Sequence, residues 1–193
     1  MTSRRQALKT IAASTVGATA TSAWVESLIA QAQTHHPPPR AGSEPWKPRV
    51  LTAWQDRAVG LLAERIIPET DTPGALGAGV NRFIDSTLAD AASADRETFL
   101  RGLSWIDARS KALFGADIVE ASAEQHTKLL TRLSANETPD VEAAIGREFF
   151  QALKAMTITG YYTSETGLRQ ELGDDGQMFQ LEFSGCDHPE HRG

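Results

Sequence analysis

The sequence predicts an all-α protein, a small bundle of about five helices with an extended N-terminal leader and linker and an irregular C-terminal tail. Three observations carry that expectation. Apolar residues recur at intervals of three and four along successive stretches, as one buried helix face requires. Two helix starts carry a capping box, Thr52 with Gln55 and Ser122 with Gln125. No run shows the strict apolar/polar alternation of a half-buried strand.

The chain opens with Ser3-Arg4-Arg5-Gln6-Ala7-Leu8-Lys9, then a mildly apolar Ala/Thr/Ser stretch, then Ala30-Gln31-Ala32. A basic start, a weakly hydrophobic middle and a small-x-small end make a secretory leader, and paired arginines specify the twin-arginine route for folded cargo. Ala7 stands where that pattern usually has phenylalanine. The expected leader is 1–32, cut after Ala32, and the expected location is periplasmic. The Ala/Thr run holds too little Leu or Val to anchor in a bilayer.

Residues 33–50 read as a linker. Repeated prolines fix φ and remove backbone donors, so this stretch is an extended tether. His35 and His36 within it fit solvent-exposed bystanders better than metal ligands.

The first firm helix is expected after Thr52, with Trp54, Ala58, Leu61, Leu62 and Ile66 at helical spacing, and it stops at Ile67-Pro68. The following Pro68-Glu69-Thr70-Asp71-Thr72-Pro73-Gly74 brackets short polar side chains between prolines and a glycine, which makes a stiff, defined turn. A second helix is expected over 78–91, through Val80, Phe83, Ile84, Thr87 and Leu88. A third begins near Asp95 as N-cap and runs through Phe99, Leu103, Ile106, Ser110, Leu113 and Phe114 to Gly115. The Ser122 box introduces a short helix through Leu129, Leu130 and Leu133. Pro139 suits the first turn of a longer helix reaching about Ile158. Trp54, Phe83, Phe99, Trp105, Phe149 and Phe150 are read as core rather than as a cofactor pocket. The domain is thus 51–172, with a tail over 173–193.

Of the 193 residues, 40% are hydrophobic and 23% charged, the composition of a globular protein of one domain plus tails. The formal charge is −6, and the expected leader carries three basic residues against Glu26, so removing a net +2 leaves −8. That acidity, with no basic stripe, argues against nucleic-acid binding.

The signatures of catalysis that spacing can reveal are missing. The chain holds no glycine-rich phosphate loop, GxSxG elbow, CxxCH haem site or HExxH zinc helix. His126, with no carboxylate or nucleophile at a readable spacing, suits a surface or capping role rather than a general base. Glu69 and Asp71, and Asp174 and Asp175, read as solvated turn carboxylates. The densest cluster is Cys186-Asp187-His188-Pro189-Glu190-His191. Cys186, His188 and His191 are weak metal candidates, because a structural zinc site needs four ligands on a fixed scaffold and a terminal strip does not guarantee one. As the only cysteine, in an expected oxidising compartment, Cys186 is a candidate for a bridge to another chain or a tolerated free thiol.

Leu61-Leu62-Ala63-Glu64-Arg65-Ile66-Ile67-Pro68-Glu69-Thr70-Asp71-Thr72-Pro73-Gly74-Ala75, followed by Gly79-Val80 and Phe83-Ile84-Asp85, resembles the opening of the gluconate 2-dehydrogenase subunit 3 family. Thr159-Gly160-Tyr161-Tyr162-Thr163-Ser164-Glu165-Thr166-Gly167 is similar to that family's second landmark. The resemblance covers about 51–172, and the tail with Cys186 is only loosely like family tails.

The resemblance implies a non-catalytic small subunit of a membrane-associated, FAD-dependent sugar, sugar-acid or alcohol dehydrogenase. It implies FAD in a large partner subunit, no cofactor in this chain, and a multihaem cytochrome c as a further partner. It also implies a folding and export escort that meets the inner membrane only through the complex. Two contact runs are candidates for the partner interface: Pro68, Thr70, Asp71, Pro73 and Gly74 in the stiff turn, and Tyr161, Tyr162 and Ser164 at the end of the long helix. The alternative for both runs is that they merely cap the bundle. The alternative for the whole chain is an exported metal-binding protein using the Cys/His tail.

Overall fold

The computed structural model describes residues 22–34, 46–134 and 141–174. These residues form six α-helices and a π-helical turn, with no strand among them: α1 (Ala23–Thr34), α2 (Ala53–Ile66), α3 (Val80–Asp90), α4 (Ser93–Phe114), α5 (Ala123–Ser134), α6 (Val141–Tyr162) and the π-helical turn Thr166–Glu171. The all-α expectation therefore holds. The paired arginines, His35 and His36, Pro139, Asp175 and the cluster at Cys186, His188 and His191 lie outside the described residues. No described helix is long and apolar enough to cross a membrane.

The bundle is organised around α6, which lies against each of the other five α-helices. Its apolar side supplies Phe149, Ala152, Leu153, Met156 and Tyr161, all fully buried. Two glycines let neighbours approach it closely. A Cβ at Gly146 would run into the Trp105 ring of α4, and one at Gly160 into the Phe83 ring of α3. Phe99 of α4 meets Phe149 with centroids 4.8 Å apart at a tilted angle. Burying a side chain the size of Phe149, Leu153 or Met156 contributes about 1.5–3 kcal/mol, so the face that α6 turns inward is a substantial part of the core.

The capping boxes form as the sequence predicts. Thr52 Oγ1 accepts from the Gln55 N–H at 3.2 Å while Gln55 Oε1 accepts from the Thr52 N–H at 2.8 Å. The Ser122 and Gln125 pair repeats this at 3.3 and 2.8 Å. Gly115 ends α4 in the left-handed region at φ 74°, its N–H bonded to the Lys111 carbonyl. The start of α4 corrects the expectation. Ala92 is the N-cap, without a side-chain bond, and Asp95 sits inside the first turn, where its charge favours the helix dipole.

Two further corrections come from tertiary contacts. Residues 33–50 are not wholly a tether, because Gln33 and Thr34 finish α1 and the stretch from Trp46 onward is held against α3. The Arg82 guanidinium sits over the Trp46 ring at 5.5 Å. The buried Asp85 carboxylate accepts the backbone N–H groups of Arg49 at 2.7 Å, Val50 at 3.1 Å and Leu51 at 2.9 Å. His126, expected at the surface or in a cap, is buried, its Nε2 2.6 Å from the Ile118 carbonyl oxygen.

The α1 helix falls within the expected leader and across its expected end. Val25, Leu28 and Ala32 recur at i, i+3 and i+7 and are buried, with Trp24 and Ile29 packed beside them. The helix lies chiefly on α6 and also on α3 and α4. The Trp24 indole N–H donates to Glu148 Oε2 of α6 at 2.8 Å.

Candidate functional site

The turn after α2 is held from within. Pro68 cannot continue the helix ladder, and the chain folds back so that the Ala75 N–H meets the Ile67 carbonyl at 2.8 Å. Glu64, in the last turn of α2, reaches across the loop. Its Oε1 accepts from the Glu69 N–H at 2.7 Å and its Oε2 from the Leu76 N–H at 2.8 Å. One carboxylate thus staples both arms of the turn, and charge-assisted bonds of this kind are the stronger ones.

Gly74 is what lets that carboxylate in. A Cβ there would collide with both Glu64 oxygens and with the Glu69 nitrogen. At the tip, the Thr70 N–H bonds the Thr72 carbonyl at 3.1 Å and the Thr70 hydroxyl donates to Asp71 Oδ1 at 2.7 Å. Glu69, Thr70 and Asp71 are exposed, whereas Gly74 and Ala75 are buried. The turn therefore offers a polar tip on a fixed frame.

The end of α6 comes to the same corner. The Tyr161 hydroxyl donates to the Pro73 carbonyl at 3.0 Å and lies 3.4 Å from Thr72 Oγ1. Thr72 Oγ1 in turn donates to Glu171 Oε2 at 3.0 Å, tying the π-helical turn to the loop. Tyr162 meets Tyr161 edge-on, ring centroids 5.3 Å apart. Beyond them, Ser164 Oγ donates to the Tyr161 carbonyl at 2.6 Å and accepts from the Gly167 N–H at 3.0 Å. That hydroxyl joins the last turn of α6 to the π-helical turn, and Gly167 is needed because a Cβ there would collide with the Tyr161 carbonyl.

The two runs singled out in the sequence are thus one site. Thr70 and Asp71 stand exposed at its tip, Pro68 and Pro73 are half-buried, and Gly74 is buried beneath. Tyr161 is fully buried and braces the turn, so it offers no ring to a partner; Tyr162 and Ser164 are half-buried. Leu76, at the foot of the turn, is 47% exposed and Leu172, just past the π-helical turn, 60% exposed. Glu64 and Thr72 belong to the run quoted from the sequence but carry no role there, and Glu171 lies outside both contact runs; the structure gives all three a bracing contact. The available signal for Glu64 is a carboxylate one turn before a proline-bracketed loop whose backbone N–H groups lie beyond the helix ladder and need acceptors.

The electrostatics elsewhere are structural. Burial pushes the Asp56 carboxyl up from its ordinary value, opposed by the hydrogen bond from Asn81 Nδ2 at 2.8 Å. Burial holds the His126 imidazole below its ordinary value, with the Ile118 carbonyl opposing and the Arg65 charge adding to the depression. Burial likewise lowers Lys154 on α6. Among the described residues no group of three or more His, Cys, Asp or Glu side chains could hold a metal ion.

The family model described as gluconate 2-dehydrogenase subunit 3 matches residues 53–175. That span starts with α2 and takes in the turn, α6 and the π-helical turn. No curated protein and no solved structure matches the chain.

Proposed function

We propose that this chain, which belongs to the gluconate 2-dehydrogenase subunit 3 family, is the non-catalytic small subunit of an exported FAD-dependent dehydrogenase acting on sugars, sugar acids or alcohols. In this reading it folds with the flavin-bearing large subunit, carries it through the twin-arginine route to the periplasm and stabilises it there. A multihaem cytochrome c completes the complex and gives it its place at the membrane. The flavin and the redox step belong to the large subunit, and this chain contributes surface.

The observation that supports the reading most is the braced corner at Pro68 to Leu76. Both family landmarks converge on it, yet their buried members spend their hydrogen bonds on one another, and the groups turned outward are Glu69, Thr70, Asp71 and the apolar Leu76. A pre-ordered loop loses little conformational freedom on docking, so an exposed tip on a stapled frame suits recognition of a large partner. An apolar residue beside a polar tip is the usual make-up of such a contact.

The test is co-expression of both subunits with an affinity tag on this one. Thr70→Arg with Asp71→Arg should lose the large subunit from the purified complex while leaving the melting temperature of the small subunit unchanged. Full recovery of the large subunit would remove the corner as the docking site. Large subunit found outside the cytoplasm in cells lacking this chain would end the escort role.

A further inference from the structure

We propose that α1 is a permanent helix of the finished subunit, and that the leader is cut after Ala20 rather than after Ala32. The proposal rests on the reading of the chain as exported. Its own support is the packing of α1. Ala32, the residue before the expected cut, is 1% exposed and helical, and Val25 and Leu28 on the same stripe are wholly buried. A peptidase needs accessible backbone free of secondary structure, so a cut after Ala32 requires α1 to leave the bundle first.

Leaving would be costly to the body as well. The helix covers α6, α3 and α4 together, and Trp24 is tied by its indole N–H to Glu148. A protein cut after Ala32 would carry those three faces uncovered, a contiguous apolar surface of the sort that monomers rarely leave in water.

An upstream site of the same chemistry is present. Ala18-Thr19-Ala20 has the small-x-small pattern that Ala30-Gln31-Ala32 has. Ile11 to Gly17 then serves as the apolar middle, between the basic start and the cut. The finished chain would begin at Thr21, immediately before the residues that start α1.

Because α1 docks on three helices distant in sequence, the leader would emerge directly from an element that is in place only when the bundle is folded. This couples presentation of the paired arginines to completion of the fold. It suits a route that carries folded cargo.

The experiment is the intact mass of the exported protein from cells making the full chain, for wild type and for two variants. Wild type should begin at Thr21. Ala18→Phe should lose the processed form and accumulate precursor. Ala30→Phe, on the exposed side of α1, should be processed as wild type is. An N-terminus at Gln33, or processing blocked by Ala30→Phe and not by Ala18→Phe, overturns the proposal while leaving export intact. An exported chain of full mass overturns the cut after Ala20. A chain never exported defeats the export reading, and the proposed cut with it. Hydrogen exchange on the purified full-length chain tests the docking separately. Amides of the second half of α1 should be slowed about a thousandfold or more, to the level expected of the core helix α6, and exchange at the rate of a free peptide would overturn it.

Discussion

The Tyr161 hydroxyl donates to the main-chain carbonyl of Pro73 at 3.0 Å, across 88 residues of sequence. The bond fastens the end of the central helix to the stiff turn, so a change at either residue is felt by the other. Tyr161→Phe keeps the ring in its buried place and removes only this donor, leaving the Pro73 carbonyl without it. A lost buried hydrogen bond of this kind costs about 1–2 kcal/mol. The expected outcome is a melting temperature lower by roughly 3–8 °C, read by circular dichroism at 222 nm. An unchanged melting temperature would show that the bond adds nothing to stability.

Gly74 and Glu64 are coupled by space. Gly74→Ala puts a methyl group where the Glu64 carboxylate lies, so the carboxylate must leave and both backbone N–H groups lose their acceptor. Overpacking of this sort costs about 1–3 kcal/mol. Glu64→Ala removes the same acceptor and should cost about 1–2 kcal/mol, since its site is only half-buried. In the double variant the truncated side chain at position 64 makes room for the new methyl at position 74, so the combined loss should be smaller than the sum of the two separate losses. Urea midpoints of wild type, both single variants and the double variant measure the coupling, and strict additivity would contradict it.

How far the sequence discloses this architecture depends on how local each determinant is. The capping boxes at Thr52 and Ser122 and the left-handed Gly115 involve neighbours within four residues, and all three form where the pattern places them. The extension of α6 past Ile158 does not have that character. Thr157, Ile158, Thr159 and Gly160 are poor helix formers, yet the helix continues because Gly160 must pack under Phe83 and Tyr161 must reach Pro73. The α1 helix was equally hidden, since an Ala/Ser/Gln run with a few apolar residues reads the same in a leader as in a docked helix. The two runs at the candidate site could be picked out from their residue types. Which members brace and which face outward depended on burial, and burial is decided by contacts far apart in the chain.

Asp85 supplies the third prediction. Its carboxylate is wholly buried and accepts three backbone N–H groups, from Arg49, Val50 and Leu51, which orders the entry to α2. Asp85→Asn exchanges one acceptor oxygen for an NH₂ that faces a backbone N–H donor whichever way the amide is turned. Hydrogen bonds to a charged group contribute about 1.5–3 kcal/mol each, and at least one is lost outright. The variant should lose about 2–4 kcal/mol of stability and become sensitive to limited proteolysis around 46–51, while α6 stays protected. Equal resistance to protease in the variant would show that these bonds do not fix the segment.

The fourth prediction concerns acid. The buried His126 is held neutral, its Nε2–H donating to the Ile118 carbonyl, and burial with the nearby Arg65 charge depresses its folded pKa below the ordinary 6.5. The unfolded chain therefore binds the proton first as pH falls, and protonation pulls the equilibrium toward unfolding. Stability from this group is complete above pH 6.5 and declines as pH drops from 6.5 toward the lower folded value, with no further loss below it. Asp56 acts in the opposite sense. Its raised folded pKa makes the folded form the better proton acceptor, so its effect is to add stability on acidification, through the range above its ordinary 3.8. Replacing the histidine isolates the first effect. His126→Gln, which keeps an N–H donor and cannot titrate, should flatten the fall in urea midpoint between about pH 7.5 and about pH 5.5 relative to wild type. The same slope in both proteins would place the acid sensitivity on other groups.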